Sequence, residues 1–232
     1  MELIISGIPI EVCKKQIKNM HLYVKPPNGR VVVSAPYSMS NEAVERFVRT
    51  KFSWVKKQIA KFDEQPRQSE REYVSGETLY VWGKQYYLQV DYGNKSNLVL
   101  SGDKAMLTVR KESTPQQRDN YVREWYRGLL KSEIERLLPK WEKITGLKCE
   151  SWQTKYMTTR WGTCNTNTRK IWLNVQLAKK TTECLEYIIL HELIHFIEKK
   201  HNERFISLMD KYMPMWREVK ATLNNQTLDY ME

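Results

Sequence analysis

The chain has 232 residues, 41% of them hydrophobic and 28% charged, with only nine Gly and eight Pro. That is enough to bury one large core or two small ones, and too apolar for extended disorder. A formal net charge of +11 at pH 7 attracts anions such as nucleic acid, nucleotides or acidic partners, but it equally serves a solvated surface and names no ligand.

The N-terminal "MELIISGIPI" carries an acid and no basic lead, so it reads as a strand rather than a signal peptide. No apolar run approaches the length of a membrane span. A cytoplasmic protein without membrane attachment is expected. Cys13, Cys149, Cys164 and Cys184 are widely spaced and form no C-x-x-C, so free thiols are expected rather than disulfides or a cysteine zinc site.

In chain order, "IISGIPIEVC" predicts two strands around Gly7-Ile8-Pro9. "HLYVK" is a third, "PPNGR" a turn and "VVVSAP" a fourth. Ser40 is placed to cap one helix over "NEAVERFVRTKFSWVKKQIAKF", with Glu42 and Glu45 in its first turn and Val44, Phe47, Val48, Val55, Ile59 and Phe62 at helical spacing. The polar stretch 63–72 is a linker candidate. "TLYVWGKQYYLQVDYG" and "NLVLSGDKAMLTVR" read as hairpins turning at Gly83-Lys84 and Gly102-Asp103.

A helix is predicted from about Gln116 to Leu138, its inner side built from Val122, Trp125, Leu129, Leu130, Ile134, Leu137 and Leu138, with Pro139 ending or kinking it. "ESWQTKYM" and "KIWLNVQL" read as strands flanking the loop "TTRWGTCNTNTR". A helix starts near Thr181 or Thr182, and a last helical stretch over Asn202 to Leu223 breaks near Pro214. No internal repeat is evident. The fold class expected is α+β, with a β-rich N-terminal region carrying one long helix over 1–112 and a metal-binding catalytic region over 113–232.

The chemistry concentrates in "YIILHELIHFIEKKH", residues 187–201. On a helix, positions i and i+4 share one face, so His191 and His195 point at one spot with Glu192 beside it. H-E-x-x-H at this spacing holds Zn²⁺ between two imidazoles, and the carboxylate activates water. The flanking positions are apolar all round the axis, which marks a buried helix. Burying these three polar groups without partners costs several kcal/mol, about what a bound metal removes.

A catalytic zinc takes three protein ligands and keeps one position open. His201 is the third candidate if the helix ends near Lys199 or Lys200 and the chain turns, with Asn202 capping the next helix. Three of the chain's four His fall in this one window. His21, on a predicted strand, is read as structural. G-x-S-x-G, G-x-x-x-x-G-K-[ST] and G-x-G-x-x-G are all absent.

"RWGTC" (160–164), "IWLNVQL" (171–177) and "HELIHFIEKKHNERF" (191–205) closely resemble the YgjP-like metallopeptidase domain family, zincin-type proteins predicted to be metal-dependent hydrolases. "VVVSAP", "KFSWV" and "LYVWGKQYYLQV" resemble it too, so the likeness covers almost the whole chain. The resemblance implies a zincin-like catalytic half, related to minigluzincin and SprT-like proteins, with an active-site helix and a small sheet. It implies His191, His195 and His201 as ligands of one Zn²⁺ per chain, another divalent metal being an alternative, and Glu192 as the catalytic residue. Thr163 stands where the family usually has Ser, and Ile206 where an aromatic often follows the Phe.

Three substrate readings remain open. The first is a peptide, which could add as a strand along Ile171–Gln176. The second is a nucleotide: the resemblance also implies a UTP-pyrophosphatase-like activity, and Arg160 offers a guanidinium and Trp161 an aromatic face for it. The third is a SprT-like protease associated with nucleic acid, motivated by the net charge. Asn174 is a further candidate for orienting a substrate or ligand group, the alternative being that it terminates the strand.

Overall fold

The computed structural model describes residues 2–25, 29–64 and 71–225, with side chains for all of these except 61–64 and 225. The Pro26–Asn28 part of the predicted turn, the Phe62 side chain and most of the predicted linker lie outside the described residues. The fold is α+β, in two compact units, Met1–Ser69 and Glu70–Asp229.

In the first unit, β1 (Glu2–Ile5) and β2 (Ile8–Lys15) form a hairpin, followed by β3 (His21–Lys25) and β4 (Arg30–Pro36). The sheet order is β1-β2-β4-β3, with β2 and β4 parallel and the other neighbours antiparallel. Two helices follow, α1 (Asn41–Thr50) and α2 (Phe52–Glu64). Their Val44, Val48 and Val55 bury against Ile5, Ile10, Val12, Val31 and Val33 of the sheet.

Ser40 caps α1 as expected, its hydroxyl accepting from Ala43 N–H at 3.2 Å. The single predicted helix is broken at Lys51. The Thr50 hydroxyl donates back to Phe47 C=O at 2.7 Å and Lys51 N–H tightens onto Val48 C=O at 2.9 Å; such back-bonding competes with the regular ladder and bends helices.

The second unit opens with β5 (Thr78–Val81), β6 (Lys84–Tyr92), β7 (Asn97–Ser101) and β8 (Lys104–Val109), ordered β5-β6-β8-β7. Its central pair is again parallel and its outer pairs antiparallel. The first turn is also the same: Ser6-Gly7 have φ of 50° and 81°, and Trp82-Gly83 have 48° and 81°, the two positive values of a tight hairpin turn. The chain thus repeats one four-stranded topology, each copy followed by a capped helix. The sequence conceals this because the copies share pattern and turn geometry rather than residues.

Helix α3 (Pro115–Thr145) begins with a reciprocal cap. Thr114 Oγ1 accepts from Gln117 N–H, and Gln117 Oε1 accepts from Thr114 N–H. It runs past Pro139 to Gly146, whose φ of 71° suits a left-handed terminus and whose N–H bonds Glu142 C=O at 2.9 Å. The burial of Leu137, Leu138 and Trp141, with the Trp141 indole N–H on Glu186 at 2.9 Å, outweighs the one ladder bond Pro139 cannot make.

Val122, Tyr126, Leu130 and Ile134 of α3 share one core with Leu79, Leu88, Leu107 and Val109 of the second sheet. The division between units therefore falls at 69/70, and the strands up to 109, expected with the N-terminal region, belong with the C-terminal elements.

The third sheet has β9 (Ser151–Lys155), β10 (Gly162–Asn165) and β11 (Lys170–Asn174), in the order β10-β11-β9. The predicted loop 158–169 thus contains a strand, and "KIWLNVQL" leaves extended structure at Asn174 for a short 3₁₀ turn, Val175–Lys179. Three helices complete the unit: α4 (Thr182–Ile194), α5 (Glu203–Tyr212) and α6 (Trp216–Asn225). All four cysteines are free thiols. Among the described residues no helix is long and apolar enough to cross a membrane.

Candidate metal centre

Helix α4 buries Leu185, Ile188, Ile189, Leu190, Leu193 and Ile194. That burial drives His191 and Glu192 into the protein. The helix ends at Ile194 with His195 as its C-terminal cap, earlier than the expected Lys199 or Lys200. Phe196 N–H bonds Leu193 C=O at 3.0 Å and Ile197 N–H bonds Ile194 C=O at 3.0 Å, a tightened last turn that satisfies the terminal carbonyls. The chain then reverses, and Asn202 caps α5 by accepting from Phe205 N–H at 3.0 Å. This reversal carries His201 back to the other two histidines.

The three imidazoles meet at their Nε2 atoms. His191 Nε2 lies 3.2 Å from His195 Nε2 and 3.0 Å from His201 Nε2, and the three ligand atoms all lie within 4.8 Å of one another. His195 Nδ1 is 2.9 Å from Glu198 C=O. A carbonyl only accepts, so Nδ1 carries the proton and Nε2 keeps its lone pair for the cluster. His191 Nδ1 is buried and has no hydrogen-bond partner among the described residues. Burial first, then the positive charge that His195 and His201 would carry, pushes His191 down to about 3, so it is neutral. Burial, then the charges of His195 and Lys220, lower His201 as well.

Three nitrogens this close cannot all be satisfied by one another, because one proton serves one contact. Nitrogens bound 2.0–2.1 Å from a tetrahedral zinc lie about 3.3 Å apart, near the spacings seen. The donor set therefore fits a divalent cation of the zinc type.

Phe205, only 2% exposed, supports all three rings, its centroid 4.9 Å from those of His191 and His195 and 4.8 Å from that of His201. Tyr187 meets His191 edge-on at 5.7 Å and stacks on Trp216 of α6 at 6.3 Å. Phe205→Ala is expected to cost about 3–5 kcal/mol of stability and to weaken zinc binding by about 10–100-fold, the scale for groups that hold ligands in place. Urea denaturation and a competition titration against a zinc-binding dye measure the two effects.

Glu192 is 5% exposed. Burial raises its carboxyl to about 7, against the opposing effects of a hydrogen bond from Cys164 and the positive charge of Arg160. β10 passes directly over it: a Cβ on Gly162 would sit 2.8 Å from Glu192 Oε1 and 2.7 Å from Ile188 Cγ2.

Arg160 is exposed and Trp161 half-buried. Trp161 packs on the core with the Lys180 ammonium 5.5 Å from its ring centre. Asn174 is fully buried. Its amide donates to Met157 C=O at 2.7 Å and Arg160 C=O at 2.8 Å, and accepts from Gln176 N–H at 3.2 Å. These bonds make it a bracket for the loop carrying Arg160, at the residue where β11 ends. The predicted docking strand also changes. β11 is paired on both sides, to β10 and β9, so it has no open edge to offer.

Among the described residues the edge strands of this sheet are β10 and β9, and β10 is the one that lies against Glu192. Asn174 N–H bonds Trp161 C=O at 2.9 Å. In the alternating antiparallel pattern the groups of Thr163 and Asn165 then also face β11, and those of Gly162 and Cys164 face outward. Sequence reading missed Gly162, Cys164 and Phe205. Only the i, i+2 spacing of the first two hinted that both reach one side of a strand.

The sequence model of the YgjP-like metallopeptidase domain family matches residues 18–226. Solved structures that resemble part of the chain include two metallopeptidase zymogens. The metallopeptidase zymogen of Pyrococcus abyssi abylysin is 19% identical, covering 43% of this chain and 99% of that one, with a TM-score of 0.39. The metallopeptidase zymogen of Methanocaldococcus jannaschii jannalysin is 23% identical, covering 40% and 94%, with a TM-score of 0.36. No curated protein matches the sequence.

Proposed function

The chain belongs to the YgjP-like metallopeptidase domain family, and we propose that it is a zinc-dependent peptidase in which His191, His195 and His201 hold the metal and Glu192 is the general base. The observation that carries this reading is the convergence of the three Nε2 atoms on the helix that also presents the buried Glu192 carboxylate. When bound, the metal supplies Lewis acidity, polarising the scissile carbonyl and acidifying water.

Glu192 takes the proton from the attacking water at a carboxylate oxygen and returns it to the departing amine nitrogen. Burial favours this, since a carboxyl raised to about 7 both accepts and gives up a proton near neutral pH. The outward N–H and C=O groups of Gly162 and Cys164 suit an extended peptide added as a further strand beside Glu192. Arg160 adds a cation on the Glu192 side, which suits an acidic group on the substrate.

The test is incubation of zinc-loaded protein with unfolded casein and, in parallel, with nucleoside triphosphates. New peptide termini found by mass spectrometry, and lost with a chelator, are the expected result. Pyrophosphate release without peptide cleavage would replace this reading with the nucleotide one.

A further inference from the structure

Resting on the assignment of Glu192 as base, we infer that β10 positions the Glu192 carboxylate through two residues, Gly162 by the side chain it lacks and Cys164 by its thiol. Residues i and i+2 of a strand share a face. Gly162 and Cys164 therefore both look towards α4, and Thr163 between them looks away. Their register partners Leu173 and Ile171 are each 1% exposed, so the strand is pinned where it crosses the helix.

Gly162 is not in the left-handed backbone region where glycine is favoured. Its requirement is space. An added Cβ would lie 2.8 Å from Glu192 Oε1, 3.1 Å from Glu192 Cγ and 2.7 Å from Ile188 Cγ2, and such contacts cannot stand without moving the carboxylate or the strand.

Cys164 supplies the complementary half: it shares with Gly162 the face of β10 that lies on Glu192, and from there its half-buried thiol is placed to donate to the carboxylate. Burial and the Glu192 charge push that thiol up to about 12, so it remains a donor. A thiol is a weak donor. It therefore fixes the direction of the carboxylate without cancelling the effect of burial on its basicity. The same two residues face their backbone groups to the open edge. A peptide aligned on β10 would thus be in register with the base that the strand holds.

The test uses full-length Cys164→Ala, Cys164→Ser, Gly162→Ala and Glu192→Gln, each assayed for zinc content, for kinetics on unfolded casein, and for the S–H stretch in infrared spectra. Loss of one S–H band in Cys164→Ala assigns it to Cys164. That band is expected to move to higher frequency in Glu192→Gln, with or without zinc, because the thiol then loses its charged acceptor. In Cys164→Ala and Gly162→Ala, kcat is expected to fall about tenfold to a hundredfold, the scale of a misplaced catalytic group. Zinc content should hold in both and KM in Cys164→Ala, and Cys164→Ser should recover most of the loss.

An S–H band unmoved by Glu192→Gln, or an unchanged kcat in Cys164→Ala, overturns the inference. Should Gly162→Ala fail to fold, the cysteine variants still decide it. If Glu192→Gln itself retains turnover, the assignment of the base fails, whereas the infrared shift still reports the Cys164–Glu192 contact; the two failures are therefore separable.

Discussion

Glu192→Gln is expected to keep its zinc and to lose turnover by about 10²–10⁴-fold, the usual contribution of a positioned acid–base group. The amide has nearly the shape of the carboxylate, so the packing of Glu192 under Gly162 and beside Ile188 is retained. None of the three imidazoles uses Glu192 to set its orientation: His195 is held by Glu198 C=O, and all three rings lean on Phe205. The variant therefore separates holding the metal from moving the proton. Zinc analysis of the purified variant, beside its rate of casein cleavage, makes the comparison. Full zinc with full turnover would remove Glu192 from the mechanism. Loss of zinc would mean that the carboxylate belongs to the metal's own coordination.

The histidines could be read from sequence because their chemistry is local. A helix fixes the relation of His191 to His195 by spacing alone, and the only tertiary step needed for His201 was a chain reversal that Asn202 announces with its capping side chain. The residues that serve Glu192 were hidden because they arrive through pairing. β10 has only four residues and one of them is glycine, so it shows no alternation, and nothing near it in sequence says that it crosses α4. The bracket made by Asn174 was hidden for a similar reason. Its partners, Met157 and Arg160, are brought to it by the β9–β11 pairing. The unit boundary followed the same logic. The polar stretch 63–72 marks it, but the extent of the second core depends on α3 packing on β5–β8, which is a property of the assembled fold.

Zinc is expected to stabilise the protein with a stoichiometry of one per chain, and His191→Ala is expected to abolish the effect. A ligand that binds only the folded state adds about 4.1 kcal/mol when present at a thousand times its Kd, which a thermal melt with and without chelator resolves easily. The metal-free comparison carries as much information. There, His191 is a buried imidazole whose Nδ1 has no partner among the described residues and whose Nε2 faces two other ring nitrogens at 3.0 and 3.2 Å. Its polar atoms contribute little without a cation, so trimming it should cost less than the several kcal/mol usual for a buried aromatic ring. The expected pattern is thus a large penalty of His191→Ala in zinc and a small one in chelator. The difference between the two is the coupling between residue and metal. Equal penalties in both conditions would mean that zinc binds elsewhere and that the three histidines are structural. A zinc shift that survives His191→Ala but vanishes in His195→Ala would leave a metal site and remove His191 from it.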